Sequence, residues 1–389
     1  MKDFDFSTPV DRRHSGSVKW DRFADNDVIP LWVADMDFAV APPIREALKR
    51  RVDHEVFGYA MVDDAYYDTI ISWQKRRHHW KVQRDWILYT TGVVPAASCA
   101  IKALTLPGEN VLVMTPVYNC FFSSIRNQGC VIEQCSLLRV GDSYAVNWDD
   151  FEAKCRDEKV TAFLLCNPHN PVGRVWTREE LQRMGAICSK HHVRVVSDEI
   201  HCDLMMPGNS FLPFANASDE NELMSVTLCS PSKSFNTAGL QNAYVICRDE
   251  ELRRRVDRVI NIYEVCDVNP FGIEALKAAY NESEQWLDKL CQYIWCNYLW
   301  LKSFLSDNLP GVQVCRLEAT YLAWLDIHAL GISSGEATRR LLREGKVFVS
   351  DGTLYGQHDG EGYLRINLAC PRSTLEEGLS RIVQVLNYI

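Results

Sequence analysis

The stretch Thr227-Leu228-Cys229-Ser230-Pro231-Ser232-Lys233-Ser234-Phe235-Asn236 places one lysine just after an apolar run that starts at Met224. The apolar run predicts a buried strand, and the serine-rich segment after it predicts a turn. Desolvation or nearby positive charge can lower the pKa of a lysine in such a place, and its neutral amine can then form an imine with a carbonyl compound. Most lysines are exposed, so this stretch alone favours a surface lysine.

The composition is typical of a globular enzyme and bounds the function. A length of 389 residues predicts two domains, and 47% hydrophobic with 24% charged residues is an ordinary balance. The net charge of −9 gives no support for a nucleic-acid partner. No apolar stretch approaches the roughly 18–20 residues needed to span a bilayer, and residues 1–6 lack the apolar core of a secretory signal. We therefore expect a cytoplasmic protein with no membrane partner.

The fifteen cysteines do not predict a metal site or a disulfide framework. Their number is odd and no Cys-x-x-Cys pair occurs. Several lie within apolar helix or strand patterns, where free cysteine behaves as a small apolar residue. We expect buried core positions for these cysteines: Cys99, Cys166, Cys188, Cys229, Cys247 and Cys296.

From residue 86 to residue 247, short apolar runs alternate with helical periods, which predicts a mostly parallel sheet covered by helices on both faces. Four polar side chains each come just after a different predicted strand: Tyr118, Asn170, Asp198 and Lys233. In open α/β sheets the ligand crevice lies at the carboxyl edge of the strands, so these side chains should converge. For Asp198 alone, a helix N-cap is the competing interpretation.

The pattern changes after residue 280. A long helix is predicted over 284–309, followed by strands at 321–326 and 362–368 and a final helix over 373–388. We predict a large domain over residues 45–280 and a smaller α+β domain from residues 1–44 and 281–389.

Several segments together resemble the fold-type I enzymes that use pyridoxal 5′-phosphate (PLP), the aminotransferase class I/II superfamily. The most similar branch is the cystathionine β-lyases of the MalY/PatB type, with the cystalysin-like C–S lyases. The segments that carry the resemblance are Val33-Ala34-Asp35-Met36-Asp37-Phe38, Phe57-Gly58-Tyr59, Thr115-Pro116-Val117-Tyr118, residues 167–173, 197–203, 232–236 and 320–326. Each is a weak match alone, but their order and spacing are specific.

The resemblance implies an α/β PLP-dependent transferase fold and a role for each polar residue around the cofactor ring. Lys233 matches the lysine that binds PLP covalently and later moves the substrate α-proton. Asp198 matches the carboxylate that pairs with the pyridine nitrogen, which makes the ring a deep electron sink. Asn170 and His201 match groups near the phenolic oxygen, and Tyr118 matches the aromatic ring stacked on the cofactor.

The resemblance also implies a phosphate site and a shared interface. Gly92, Val93 and Val94, between a strand and a helix, match the backbone donors, and Ser230 adds a hydroxyl. Tyr59 matches a tyrosine that reaches the partner's phosphate, so a homodimer is implied.

For the substrate, Arg365 matches the arginine that binds the α-carboxylate, and Asp35 is assigned to the same site. Many aminotransferases carry a phosphate-binding arginine eight residues after the lysine, whereas Gln241 stands here. The resemblance therefore implies α,β-elimination from cystathionine, cysteine or another S-substituted cysteine, with pyruvate, ammonia and a thiol or sulfide as products. An aminotransferase and a PLP-binding protein with a mainly regulatory role remain as alternatives.

Overall fold

The structure is a computed structural model that describes residues 4–387. The α-helices in the described residues, in chain order, are α1 (Pro42–Asp53), α2 (Asp64–His78), α3 (Val93–Leu104), α4 (Asn119–Asn127), α5 (Trp148–Cys155), α6 (Arg178–Lys190), α7 (Asp219–Met224), α8 (Glu250–Ile262), α9 (Pro270–Glu282), α10 (Glu284–Asn308), α11 (Ser334–Gly345) and α12 (Arg372–Leu386). The strands are β1 (Ile29–Pro30), β2 (Ile87–Thr90), β3 (Asn110–Thr115), β4 (Val131–Ser136), β5 (Leu138–Val140), β6 (Ser143–Ala145), β7 (Val160–Cys166), β8 (Arg194–Asp198), β9 (Ser225–Cys229), β10 (Ala243–Ile246), β11 (Gln313–Val314), β12 (Leu322–Asp326), β13 (Val347–Phe348), β14 (Ser350–Asp351) and β15 (Tyr363–Asn367).

A seven-stranded sheet with the order β2-β10-β9-β8-β7-β3-β4 forms the centre of the large part of the chain. Its strands are parallel except β10, which runs antiparallel to both β2 and β9. Separate apolar cores pack on its two faces, one built largely from α3 and α8 and another including α6. The predicted fold class, a mostly parallel sheet flanked by helices, is confirmed.

The C-terminal part contains a four-stranded antiparallel sheet with the order β11-β12-β15-β14. Strand β1 pairs in parallel with β13, so the N-terminal segment joins this part of the chain. The long helix α10 packs its buried face against α12 and β11. The division into two domains, with boundaries at residues 44 and 280, stays a prediction.

Local sequence signals account for several element ends. Thr177 and Glu180 form a capping box at the start of α6, with both reciprocal hydrogen bonds present. Pro42 and Pro43 stand in the first turn of α1, where a missing N–H costs nothing. The predicted last helix ends at Leu386 in the structure, and Tyr388 lies outside the described residues.

One cysteine prediction is wrong. Cys296 is exposed, whereas the five other cysteines expected in the core are buried. Cys296 lies on the outer face of α10, close in sequence to the buried positions Ile294 and Asn297. Because this helix is apolar along most of its length, its composition did not indicate which side faces the core. None of the helices within residues 4–387 combines the length and apolarity required to cross a bilayer.

Candidate active site

A cavity of about 340 Å³ opens at the carboxyl edge of the seven-stranded sheet. It is lined by Ala34, Thr91, Gly92, Val93, Val94, Pro95, Tyr118, Cys166, Asn170, Asp198, Ile200, His201, Ser230, Ser232, Lys233, Ala238, Gln241 and Asn242. The structure therefore brings together every residue predicted to touch the cofactor except Tyr59. Arg365, Asp35 and Tyr59 are not part of this lining.

Lys233 follows β9 in a turn and extends its amine into the cavity. Its Nζ donates a hydrogen bond to the carbonyl oxygen of Ala34 at 2.5 Å. Burial lowers the pKa of Lys233; the charge of Asp35 opposes this effect and that of Arg365 adds to it. The lysine of the opening stretch is therefore not a surface lysine, and its environment favours the neutral, nucleophilic amine.

Asp198 is the last residue of β8 and is 4% exposed. A turn follows it rather than a helix, so the N-cap interpretation does not apply. Its Oδ1 accepts a hydrogen bond from the backbone N–H of Ile200 at 3.1 Å. Burial raises the pKa of Asp198 to about 7, against the opposing effects of that hydrogen bond and of Lys233. A cationic N–H in the cavity would restore the charged carboxylate.

Arg365 lies on β15 and is 5% exposed. It donates from one terminal nitrogen to Asn170 Oδ1 at 3.1 Å and from the other to the carbonyl of Trp32 at 2.9 Å. Its Cζ is 4.7 Å from the ring centre of Tyr355, and its buried Nε has no protein partner among the described residues. Because Asn170 accepts through Oδ1, its Nδ2 is the atom left to donate to a ligand.

His201 and Tyr118 also line the cavity. The buried Nδ1 of His201 has no hydrogen-bond partner within residues 4–387. Burial, with the charges of Lys233 and Arg365, lowers the pKa of His201 to about 3, so the imidazole is neutral. Burial also raises the pKa of Tyr118 well above its usual value, so its phenol stays protonated.

The other end of the cavity is formed by the N-terminus of α3. Gly92 is its N-cap, and a Cβ there would lie 3.3 Å from Cδ of Pro95. The first-turn N–H groups of Val93 and Val94 have no partner within the helix, as at any helix start, and favour an anion. Ser230 already donates to the carbonyl of Asn242 at 2.6 Å. Gln241 lines the cavity where many aminotransferases have an arginine.

These features fit PLP. Around one cavity lie a lysine with a lowered pKa, a buried carboxylate that forms no salt bridge among the described residues, an imidazole nitrogen that has no partner among them, and a helix N-terminus. They match in turn the aldehyde, the pyridine nitrogen, the ring oxygen and the phosphate of that cofactor.

Asp35 and Tyr59 do not line the cavity. Asp35 forms a salt bridge with Arg12 at 2.7 Å, and Lys19 Nζ lies 3.6 Å from its other oxygen. The side chain of Tyr59 is fully exposed, so no packing against the other described residues fixes the position of its ring. Their roles in substrate binding and at a partner's site stay predictions.

The sequence did not single out three groups that position the site. The carbonyls of Trp32 and Ala34 accept hydrogen bonds from Arg365 and Lys233, respectively, and backbone acceptors leave no signal in residue types. Tyr355 lies under Arg365 on a short 3₁₀ helix at Gly352–Tyr355, a segment without a helix or strand period.

Comparison with known proteins gives full-length matches. The sequence family Aminotransferase class I and II matches residues 26–382. Cystathionine beta-lyase PatB of Bacillus subtilis is 43% identical over 386 residues, covering 98% of this chain and 100% of that protein. Protein MalY of Escherichia coli is 32% identical over 395 residues, covering 99% and 100%. The crystal structure of cystalysin from Treponema denticola, which contains a pyridoxal 5′-phosphate cofactor, matches with a TM-score of 0.96 and 35% identity over 100% of both chains.

Proposed function

The chain belongs to the aminotransferase class I and II family, and on that premise we propose that it is a PLP-dependent carbon–sulfur lyase. The reaction is α,β-elimination from cystathionine, cysteine or a related S-substituted cysteine, which gives pyruvate, ammonia and a thiol or sulfide. The observation that carries the proposal is the end-to-end identity of 43% with a cystathionine beta-lyase. The fit of the cavity to PLP supports it independently.

Bound PLP supplies an electrophilic carbon and an electron-accepting ring, which together stabilise negative charge on the substrate Cα. Asp198 would hold the positive charge on the ring nitrogen through its buried carboxylate. Asn170 Nδ2 would donate to the ring oxygen, and the α3 N-terminus would bind the phosphate. Lys233 Nζ, released when the substrate amine takes its place on the cofactor, would accept the α-proton as a general base.

Arg365 binds the substrate carboxylate and so orients the Cα–H bond. Its Nε is buried and unpartnered, and its terminal nitrogens are held by Asn170 and Trp32. The guanidinium is thus rigid before substrate arrives, which reduces the ordering cost of binding. The Cα proton then faces Lys233, and the thiolate departs from Cβ.

Elimination and transamination are separated by one assay. The purified PLP-loaded protein is incubated with L-cystathionine in the absence of any oxo acid, with pyruvate measured by coupled NADH oxidation and thiol by a chromogenic disulfide. We expect many turnovers, with pyruvate and thiol in equal amounts, because elimination needs no amino-group acceptor. Parallel kinetics with cystine and cysteine rank the substrates.

The matched control repeats the incubation with a 2-oxo acid added. The lyase proposal predicts an unchanged rate. Product release that depends on the added oxo acid, or that stops at one equivalent per site without it, would show an aminotransferase instead.

We also propose that the protein acts as a homodimer in which Tyr59 reaches the phosphate site of the partner subunit. Supporting this is an exposed apolar group just before α2, formed by Val56, Phe57, Tyr59 and Met61. Exposed apolar side chains gathered in one segment are typical of an interface.

The fifteen unpaired cysteines, most of them buried, support a reducing compartment, the cytoplasm, as the place of the reaction.

Replacing Tyr59 with phenylalanine tests the shared site. The ring stays in the interface but the phosphate loses one charge-assisted hydrogen bond, so PLP affinity should fall by about tenfold while the protein stays dimeric. Reconstitution of apoenzyme with PLP gives the affinity, and light scattering gives the mass. Tyr263→Phe, at another exposed tyrosine, should change neither. Unchanged affinity in Tyr59→Phe would contradict the proposed contact.

A further inference from the structure

A buried carboxylate behind the active site accepts three hydrogen bonds. Asp203 is 2% exposed, and its Oδ1 lies 2.9 Å from His78 Nε2 and accepts from the indole N–H of Trp73 at 3.1 Å. Its Oδ2 accepts from the hydroxyl of Ser234 at 3.2 Å. All four side chains are at most 4% exposed. None of them lines the cofactor cavity.

His78 and Asp203 form a buried hydrogen-bonded pair. Burial lowers the pKa of His78, whereas the hydrogen bond to Asp203 raises it. His78 is also the last residue of α2, where the helix dipole favours a cation. The imidazole thus holds one oxygen of the carboxylate, and Trp73 and Ser234 donate to it as well.

Asp203 and its three partners come from three separate segments of the chain. Ser234 follows Lys233 directly, and Asp203 itself comes two residues after His201 and five after Asp198. Trp73 and His78 both lie on α2, the helix that follows the segment carrying Tyr59. One carboxylate therefore joins the lysine turn, the segment after β8 and α2.

We propose that Asp203 is a positioning residue that fixes the turn of Lys233 against α2 and against the segment carrying Asp198 and His201. The inference rests on the proposed lyase function. Without Asp203, the Ser234 hydroxyl loses its hydrogen bond to the carboxylate. In this proposal, that bond fixes the direction in which the Lys233 side chain leaves the turn. A shift of about 1 Å at a reacting group can lower a rate by about 10²-fold.

The same side chains offer another interpretation, a metal site. The ligand atoms of His78, Cys202 and Asp203 lie within 4.8 Å of one another. Both oxygens of Asp203, however, are already engaged by Ser234, Trp73 and His78. Protein donors satisfy the carboxylate without an ion, and the structure favours the hydrogen-bonded cluster.

The test compares Asp203→Asn and Ser234→Ala with wild type as PLP-loaded proteins. Both variants should bind one PLP per chain. We expect kcat to fall at least about tenfold in Asp203→Asn, with KM within about threefold, because positioning and not substrate binding is lost. The visible circular dichroism of the bound cofactor should fall clearly, because it reports how the cofactor is held. Ser234→Ala, a mild change, should show the same two effects more weakly.

Asn221→Ala is the matched control, since Asn221 is a buried polar side chain outside the site that bonds to Leu181 and Phe214. It should lower the melting temperature without changing kcat or the cofactor signal. If Asp203→Asn does not fold, Ser234→Ala alone decides. The proposal is overturned if the variants lose only thermal stability, or if wild type contains about one equivalent of zinc per chain that Asp203→Asn lacks. The circular dichroism of the cofactor is measured without substrate. It therefore tests the positioning role of Asp203 even if the lyase assay shows that the proposed function is wrong.

Discussion

Replacing Lys233 with alanine is expected to abolish thiol release, lowering kcat by about 10⁴-fold or more. Two functions disappear with one amine, because Nζ both holds the cofactor covalently and removes the substrate α-proton in the proposed reaction. The amine lies next to the carbonyl of Ala34 in a buried place that lowers its pKa. No other lysine lines the cavity, so none among the described residues could replace it.

Mass spectrometry after borohydride reduction gives a readout besides activity. In wild type, the reduced cofactor should be found on the peptide that contains Lys233, and in the variant it should be absent. Lys190→Ala is the matched control, because Lys190 is an exposed lysine that pairs with Glu152. The assignment would be wrong if Lys233→Ala kept the covalent cofactor or more than about one-hundredth of the wild-type rate.

The sequence predicted that four polar residues converge, because parallel strands end at the same edge of a sheet. They lie at or just after the ends of different strands, and the structure places all four on one cavity: Tyr118, Asn170, Asp198 and Lys233. The apolar runs in the sequence were enough to predict where these strands end. Strand β10 shows the limit, because its antiparallel direction depends on its neighbours and not on its own residue pattern.

The contacts between distant segments could not be predicted. Arg365 was assigned to the substrate carboxylate through the family resemblance, but its bonds to Asn170 and Trp32 depend on how the C-terminal sheet packs against the rest. Asp35 was assigned to substrate, and only the packed structure shows it held by Arg12. The Asp203 cluster joins residues more than a hundred positions apart, which no local period reveals.

Asp198→Asn is expected to have opposite effects on activity and on the stability of the cofactor-free protein. The amide cannot hold a positive charge on the pyridine nitrogen, so kcat should fall by about 10²–10³-fold with a small change in KM. The cofactor-free protein should gain stability at neutral pH, because the asparagine removes a carboxylate whose charged form burial disfavours more than Lys233 and the Ile200 N–H favour it.

The pH dependence of that gain follows from the raised pKa. Burial raises the pKa of Asp198 to about 7 from an ordinary value of 3.8. The wild-type apoenzyme thus keeps a proton on Asp198 when the unfolded chain has lost it, and its stability falls as pH rises through this range. Relative to wild type, Asp198→Asn should gain melting temperature from about pH 4 to about pH 7 and then level off.

Glu199→Gln separates a site built for a cation from a merely buried acid. Burial raises the pKa of Glu199 to about 8, yet Ser197, Asn167 and the backbone N–H of Phe214 all donate to it and it does not line the cavity. An amide keeps the Oε1 that accepts these bonds and removes an acid whose charged form burial disfavours, so Glu199→Gln should also gain apoenzyme stability at neutral pH and yet keep kcat within about threefold. Asp198 differs because its missing partner is the cofactor. Loss of apoenzyme stability in Asp198→Asn together with an unchanged kcat would show that its carboxylate serves the fold and not the ring nitrogen.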